Sequence, residues 1–362
     1  MRFEDLNLPA GEMESGPLRR ISDVPGVTVG HCTVINERHQ TGVTVVMPCA
    51  DDPYENRLPC ACFVLNGFGK SLGLMQVEEL GQLETPIALT NTLNVGKVHD
   101  ALVSCVIGRE RERDVRVRTL NPVVCECNDA SLNDIEDRVI GEKEVFAAIG
   151  DAKAAFPVGA VGAGRGMTCH GLKGGIGSAS RIIRADGKTY TVGVLALTNH
   201  GRLRDLRIGG EAAGREIEQR LSEDLPDRGS CILILATDLP ATDRQLKRIL
   251  KRCAVGLIRL GSFIGHGSGE VFLGFSTVNR IPREDDSFVQ PCLRLNEDMM
   301  DTAFRAAAEC AEEAVLDSLA AGETVVGYAG NVRRGLTEVW GGRQQTGNRD
   351  EGPRDQGTGN RQ

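Results

Sequence analysis

Residues 230–236, Ser-Cys-Ile-Leu-Ile-Leu-Ala, form a continuously apolar run rather than an alternating one. A strand with that pattern has to be covered on both faces, because either face left in water would expose a row of aliphatic side chains. Further runs read as strands at Gly42–Met47, Ala61–Leu65, Tyr190–Leu197 and Gly269–Phe275. Helix signals are fewer but clear. Thr242 followed three residues later by Gln245 makes a capping box ahead of Leu246, Ile249, Leu250, Cys253 and Leu257 at helical spacing. Asn296 is placed to cap a second helix whose stripe runs from Met300 to Leu319 and stops at Gly322, and a third spans about 211–221. Buried strands with single-stripe helices predict a layered α/β domain, sheet within and helices outside.

No Pro/Ser/Gly linker divides residues 17–340, so 1–340 reads as one domain. Residues 341–362 carry no aliphatic or aromatic side chain and are expected to form a disordered tail. Lys and Arg (42) against Asp and Glu (50) give a net charge of −8, which disfavours nucleic acid and anionic membrane as partners. The sign-alternating run 109–118 reads as a solvated face or loop. No stretch of about 18 apolar residues is present and the N-terminus has no signal-peptide core. The twelve cysteines are therefore expected as reduced thiols in a cytoplasmic protein. The close pairs Cys60/Cys62 and Cys125/Cys127 lack zinc-knuckle spacing, so no metal and no cofactor is expected.

Glycine is enriched at 44 residues, about 12% against a usual level near 7%. Gly67-Phe-Gly-Lys-Ser71 resembles the end of a phosphate loop, but Val64 stands where its first glycine belongs, leaving a turn after a strand. Eight glycines crowd residues 159–177 without the following helix of a dinucleotide site, which favours a rigid loop whose amides face a cavity. More consequential is Gly229-Ser230, at the entrance of the apolar strand. If that peptide bond breaks, Ser230 gains an α-amine beside its own hydroxyl. With an ordinary pKa of about 7.7–8.0, such an amine can act as general base to the hydroxyl. Downstream, Ser268 and Glu270 share one side of a strand, about 7 Å apart along the chain, and could position an amine.

These segments resemble the DmpA-type aminopeptidases, which include the L-aminopeptidase/D-esterases and the β-peptidyl aminopeptidases. The resemblance spans residues 17–335 and is carried by ISDVPGVTVGHCT (21–33), NPVVCECNDASLNDI (121–135), VGAGRGMTCHGLKGGIGSASR (161–181), VGVLALTNHGRLRDLRIGG (192–210), GSCILILATDLP (229–240) and GHGSGEVFLGFST (265–277). It implies a four-layer α/β/β/α sandwich, similar to the Ntn hydrolases with different connectivity. It also implies self-cleavage at Gly229-Ser230 into an α chain (1–229) and a β chain (core 230–340), with Ser230 as N-terminal nucleophile. Ser268 and Glu270 are then the pair that holds and activates the new amine, Asn199 a donor to the oxyanion, and Glu126 the carboxylate receiving the substrate ammonium. The substrates implied are short peptides, amides or esters with a free amino group. The assembly implied is a homo-oligomer, often a tetramer of processed heterodimers. His200 after Asn199 and His266 before Ser268 depart from the aromatic and asparagine more usual there. The rival readings are an acyltransferase of the ornithine-acetyltransferase type, which uses threonine, and a non-catalytic nucleotide-binding protein built on the 159–177 loop.

Overall fold

A computed structural model describes residues 2–6, 11–221 and 229–340; the expected tail at 341–362 lies outside the described residues. The first sheet holds β1 (Thr28–Ile35), β2 (Gln40–Met47), β4 (Ile87–Asn91) and β5 (Val123–Cys127), in the order β1-β2-β4-β5. The second is built on β3 (Asn56–Gly67), β6 (Gly175–Ala185), β7 (Lys188–Asn199), β8 (Ser230–Thr237) and β9 (Gly269–Ser276), in the order β3-β9-β8-β7-β6. Two-residue strands at Gln82–Leu83 and Ile281–Pro282 extend it beyond β3.

Side-chain alternation along β8 explains why the sheets stack. Every residue from Ser230 to Thr237 is buried. Cys231, Leu233 and Leu235 pack into one core with helices α4 (Asp243–Arg259) and α5 (Met300–Ala320), while Ile232, Ile234 and Ala236 pack into another. That second core also takes Leu89, Val123 and Cys125 from the first sheet, so it lies between the sheets. The outer face of the first sheet, through Val43, Val45, Ala88 and Val124, meets Val98, Ala101 and Leu102 of α1 (Val95–Glu112) and Val145 and Ala148 of α2 (Glu142–Gly150). The result is helix, sheet, sheet, helix, the four layers the resemblance implied.

Local signals were mostly reliable. Thr242 Oγ1 accepts from Gln245 N and closes the expected capping box of α4. Asn296 instead caps a short 3-10 turn, Glu297–Met299, that runs into α5. Most of the charge run at 109–118 is exposed, as expected of a solvated face or loop, with one exception. Its first residues complete α1, and Glu110 is wholly buried between Arg109 and Arg113.

The glycine cluster encloses a buried ammonium. Lys173 Nζ donates to the carbonyls of Gly164 (2.9 Å), Met167 (2.9 Å) and Gly174 (2.6 Å). Burial pulls its pKa well down, yet three acceptors call for three protons, which only the charged form supplies. Lys173→Met would leave buried carbonyls without donors. We expect it to cost about 2–5 kcal/mol, read as a lower urea midpoint with unchanged m-value.

Candidate active site

Ser230 is the first residue of β8, and its neighbours are fixed by the ladders on either side. Across β7 it pairs with Asn199, and across β9 it pairs with Gly269. Gly269 has no side chain where one would crowd the serine, since an ideal Cβ there would stand 3.0 Å from Ser230 Oγ. The residue before the serine is equally confined. A Cβ on Gly229 would overlap the Asn199 carbonyl oxygen, so only glycine fits. The Gly229 carbonyl accepts from Gly269 N at 3.1 Å, which fixes and polarises the bond that would have to break.

Ser230 and Asn199 both line a cavity of about 790 Å³ between the sheet ends. Glu126 of β5, itself buried, lines the same cavity. Its Oε1 accepts from Lys70 N (2.9 Å) and its Oε2 from Thr92 Oγ1, which orient the carboxylate and leave it capacity for a further donor. Lys70 belongs to the Gly67–Ser71 turn, so the false phosphate loop serves a carboxylate with its backbone. Phe68, Phe263 and His266 form the more apolar rim, with Lys70 Nζ 4.3 Å from the centre of the Phe68 ring.

Asn199 is immobilised at both ends of its amide. Oδ1 accepts from Thr168 N (2.8 Å) and Nδ2 donates to Asn128 O (3.0 Å), leaving one amide proton uncommitted by those bonds. The glycine loop thereby positions Asn199, because Thr168 is part of it.

Ser268 and Glu270 are both buried and hydrogen-bonded to each other, Ser268 Oγ donating to Glu270 Oε1. They bracket Gly269, the residue facing Ser230, and sit behind the cavity wall formed by Gly265, His266 and Gly267. Asn66 Nδ2 pins that wall by donating to the carbonyls of Gly265 (3.1 Å), His266 (3.3 Å) and Ser268. The structure thus brings Ser230, Asn199 and Glu126 onto one cavity, with Ser268 and Glu270 one strand away. Sequence reasoning missed Asn66, Thr92, Asn128 and Thr168. Each acts through hydrogen bonds to residues far off in sequence, and no spacing rule flags such contacts.

Residues 19–333 match peptidase family S58. Over 350 residues the chain is 37% identical to the β-peptidyl aminopeptidase BapA of Sphingosinicella xenopeptidilytica, covering 90% of this chain and 86% of that protein. A Burkholderia sp. β-aminopeptidase superposes with a TM-score of 0.86 at 38% identity, covering 93% of this chain and 96% of the other. The L-aminopeptidase D-Ala-esterase/amidase of Ochrobactrum anthropi, described as a prototype of the serine aminopeptidases with a variant Ntn-hydrolase fold, does so with 0.85 at 31% identity, covering 92% and 95%.

Proposed function

The chain belongs to peptidase family S58, as a serine aminopeptidase, amidase or esterase of the DmpA/BapA type, and from that premise we propose that Ser230 is its self-generated N-terminal nucleophile. One observation supports this above all: Ser230 opens the central strand on the cavity wall, behind a glycine whose carbonyl is held by Gly269 N.

In the precursor, Ser230 Oγ adds to the Gly229 carbonyl carbon and the C–N bond breaks. The acyl group passes to oxygen and the nitrogen leaves as the α-amine of Ser230. Water then hydrolyses the ester, giving chains 1–229 and 230–362. In the mature enzyme the α-amine takes the hydroxyl proton as Ser230 attacks a substrate carbonyl. The proton is passed to the departing amine, and water releases the acyl group. The Ser268/Glu270 pair holds the ammonium form of the α-amine, and Asn199 donates to the oxyanion. Intact-mass spectrometry of the purified protein is expected to resolve two chains divided between 229 and 230; a single uncut mass accompanied by full activity would end this reading.

Glu126 receives the free ammonium of the substrate, a role supported by its fixed carboxylate on the cavity that Ser230 also lines. Glu126→Gln keeps the shape and removes the charge. It should raise KM at least about tenfold for substrates with a free amine, as expected when one charge-assisted contact is lost. N-acylated esters should change little; equal losses for both would remove Glu126 from this role.

Residues 1–340 act as one catalytic unit in this reading. Assembly into a homo-oligomer of processed heterodimers fits the exposed apolar side chains of Phe288, Val289 and Leu293. Cytoplasmic residence fits twelve cysteines that are all free thiols.

A further inference from the structure

Beside the cavity, three ligand-type side chains converge that the sequence analysis did not connect. Cys169 and His170 lie in a tight hairpin, Thr168–Cys169 pairing with Leu172–Lys173, and the turn residues His170 (φ 48°) and Gly171 (φ 74°) are both left-handed. His200 directly follows Asn199 at the end of β7. The two histidines are joined through the main chain, His170 N donating to His200 O at 2.7 Å. Their rings meet edge to face with centroids 5.5 Å apart. Gly201 makes room for this, because a Cβ there would overlap the His170 ring.

One ligand atom from each of Cys169, His170 and His200 can be chosen so that all lie within 4.8 Å of one another, and all three residues are buried. His200 is 2% exposed, and among the described residues neither of its ring nitrogens has a hydrogen-bond partner. A buried polar group in that state costs about 1–3 kcal/mol, so the site carries a standing demand for something that accepts a lone pair. His170 Nδ1 lies 3.1 Å from Arg202 O, a carbonyl that can only accept. That bond places the proton on Nδ1 and the lone pair on Nε2, the arrangement in which a histidine binds metal.

We propose that Cys169, His170 and His200 form a binding site for a thiophilic d10 cation of the Zn2+ class in the wall of the active-site cavity. One sulfur and two imidazole nitrogens suit such an ion, with water as the fourth ligand reached from the cavity that His200 lines. Bond lengths of about 2.3 Å to sulfur and 2.0–2.1 Å to nitrogen put the ligand atoms roughly 3.3–3.6 Å apart, so the gaps between them close by up to about 1.5 Å. On binding, the Cys169 S–H bond is replaced by S–Zn and the proton passes to solvent. The ion would tie the Thr168 segment to the Asn199 segment, the two partners whose hydrogen bond holds the cavity donor. This site stands apart from the proposed role of Ser230, and its test does not read activity.

The test uses the full-length protein after chelator treatment, titrated with Zn2+ alone by calorimetry and with Co2+ by absorption. Expected are one Zn2+ per chain, a rise in melting temperature, and a thiolate-to-cobalt charge-transfer band in the near ultraviolet. Cys169→Ser should remove the band. His200→Phe, which retains ring volume, should weaken Zn2+ binding by at least about 100-fold, as befits loss of a direct ligand when outer partners alone are worth 10–100-fold. No stoichiometric Zn2+ uptake by the folded wild type would overturn the proposal. So would uptake unchanged in His200→Phe, which also decides the matter should Cys169→Ser fail to fold.

Discussion

Ser230→Ala is expected to give a single full-length chain on a denaturing gel and no hydrolysis of aminoacyl-nitroanilides above background. The substitution removes one oxygen from a residue that is 7% exposed and bordered by Gly269, so packing has little reason to change. Circular dichroism should therefore match the wild type. Losing the hydroxyl eliminates the attacking atom in both the precursor and the mature enzyme, so the two defects must appear together. Normal division of the chain in this variant would refute the assignment. An acyltransferase of the same self-cleaving kind would also fail to divide, and is separated by product analysis of the wild type with and without an amine acceptor.

Asn199→Asp should lower kcat by about 10²–10³, the usual effect of removing one donor to an oxyanion. The exchange is nearly isosteric, and the retained oxygen can still accept from Thr168 N. What disappears is the NH2 group, and a carboxylate oxygen then faces the Asn128 carbonyl where Nδ2 had donated. Negative charge placed where negative charge develops opposes the transition state more than the ground state. KM should thus move much less than kcat. A variant with kcat within threefold of wild type would release Asn199 from this role.

How much of this was legible in the sequence depends on how local each signal is. The apolar run at 230–236 required cover on both faces, and its side chains do divide between two cores. The Thr242/Gln245 box lies within four residues and was readable for that reason. Sheet order was not readable. β8 lies between β7, with which it runs antiparallel, and β9, with which it runs parallel, a result of long-range pairing that no window contains. For the site, the Ser268/Glu270 spacing predicts only a shared side of the strand; that the two hydrogen-bond to each other is a finding of the structure. The junction looked ordinary at Ser230 until family resemblance marked it, because serine after glycine at a strand start is common. Close cysteine pairs are the local sign of a metal site, whereas Cys169 and His200 are 31 positions apart and meet only through a hairpin turn against a strand end. Glu110 is the exception within an exposed charge run, since charge alternation suggests exposure while burial among arginines depends on what the end of α1 packs against.

The proposed cut falls at the head of a strand gripped from both sides. The C-terminal piece supplies β8 and β9, and the N-terminal piece supplies the strands that border them, β7 and β3. The two polypeptides would leave maturation interleaved like the fingers of clasped hands, and neither could depart without tearing open the other's sheet. Shape must therefore precede scission, and the finished particle persists because separation is slow rather than because it can be rebuilt. Once unravelled into its halves, such a molecule would be expected to lose the continuous thread that guided it home.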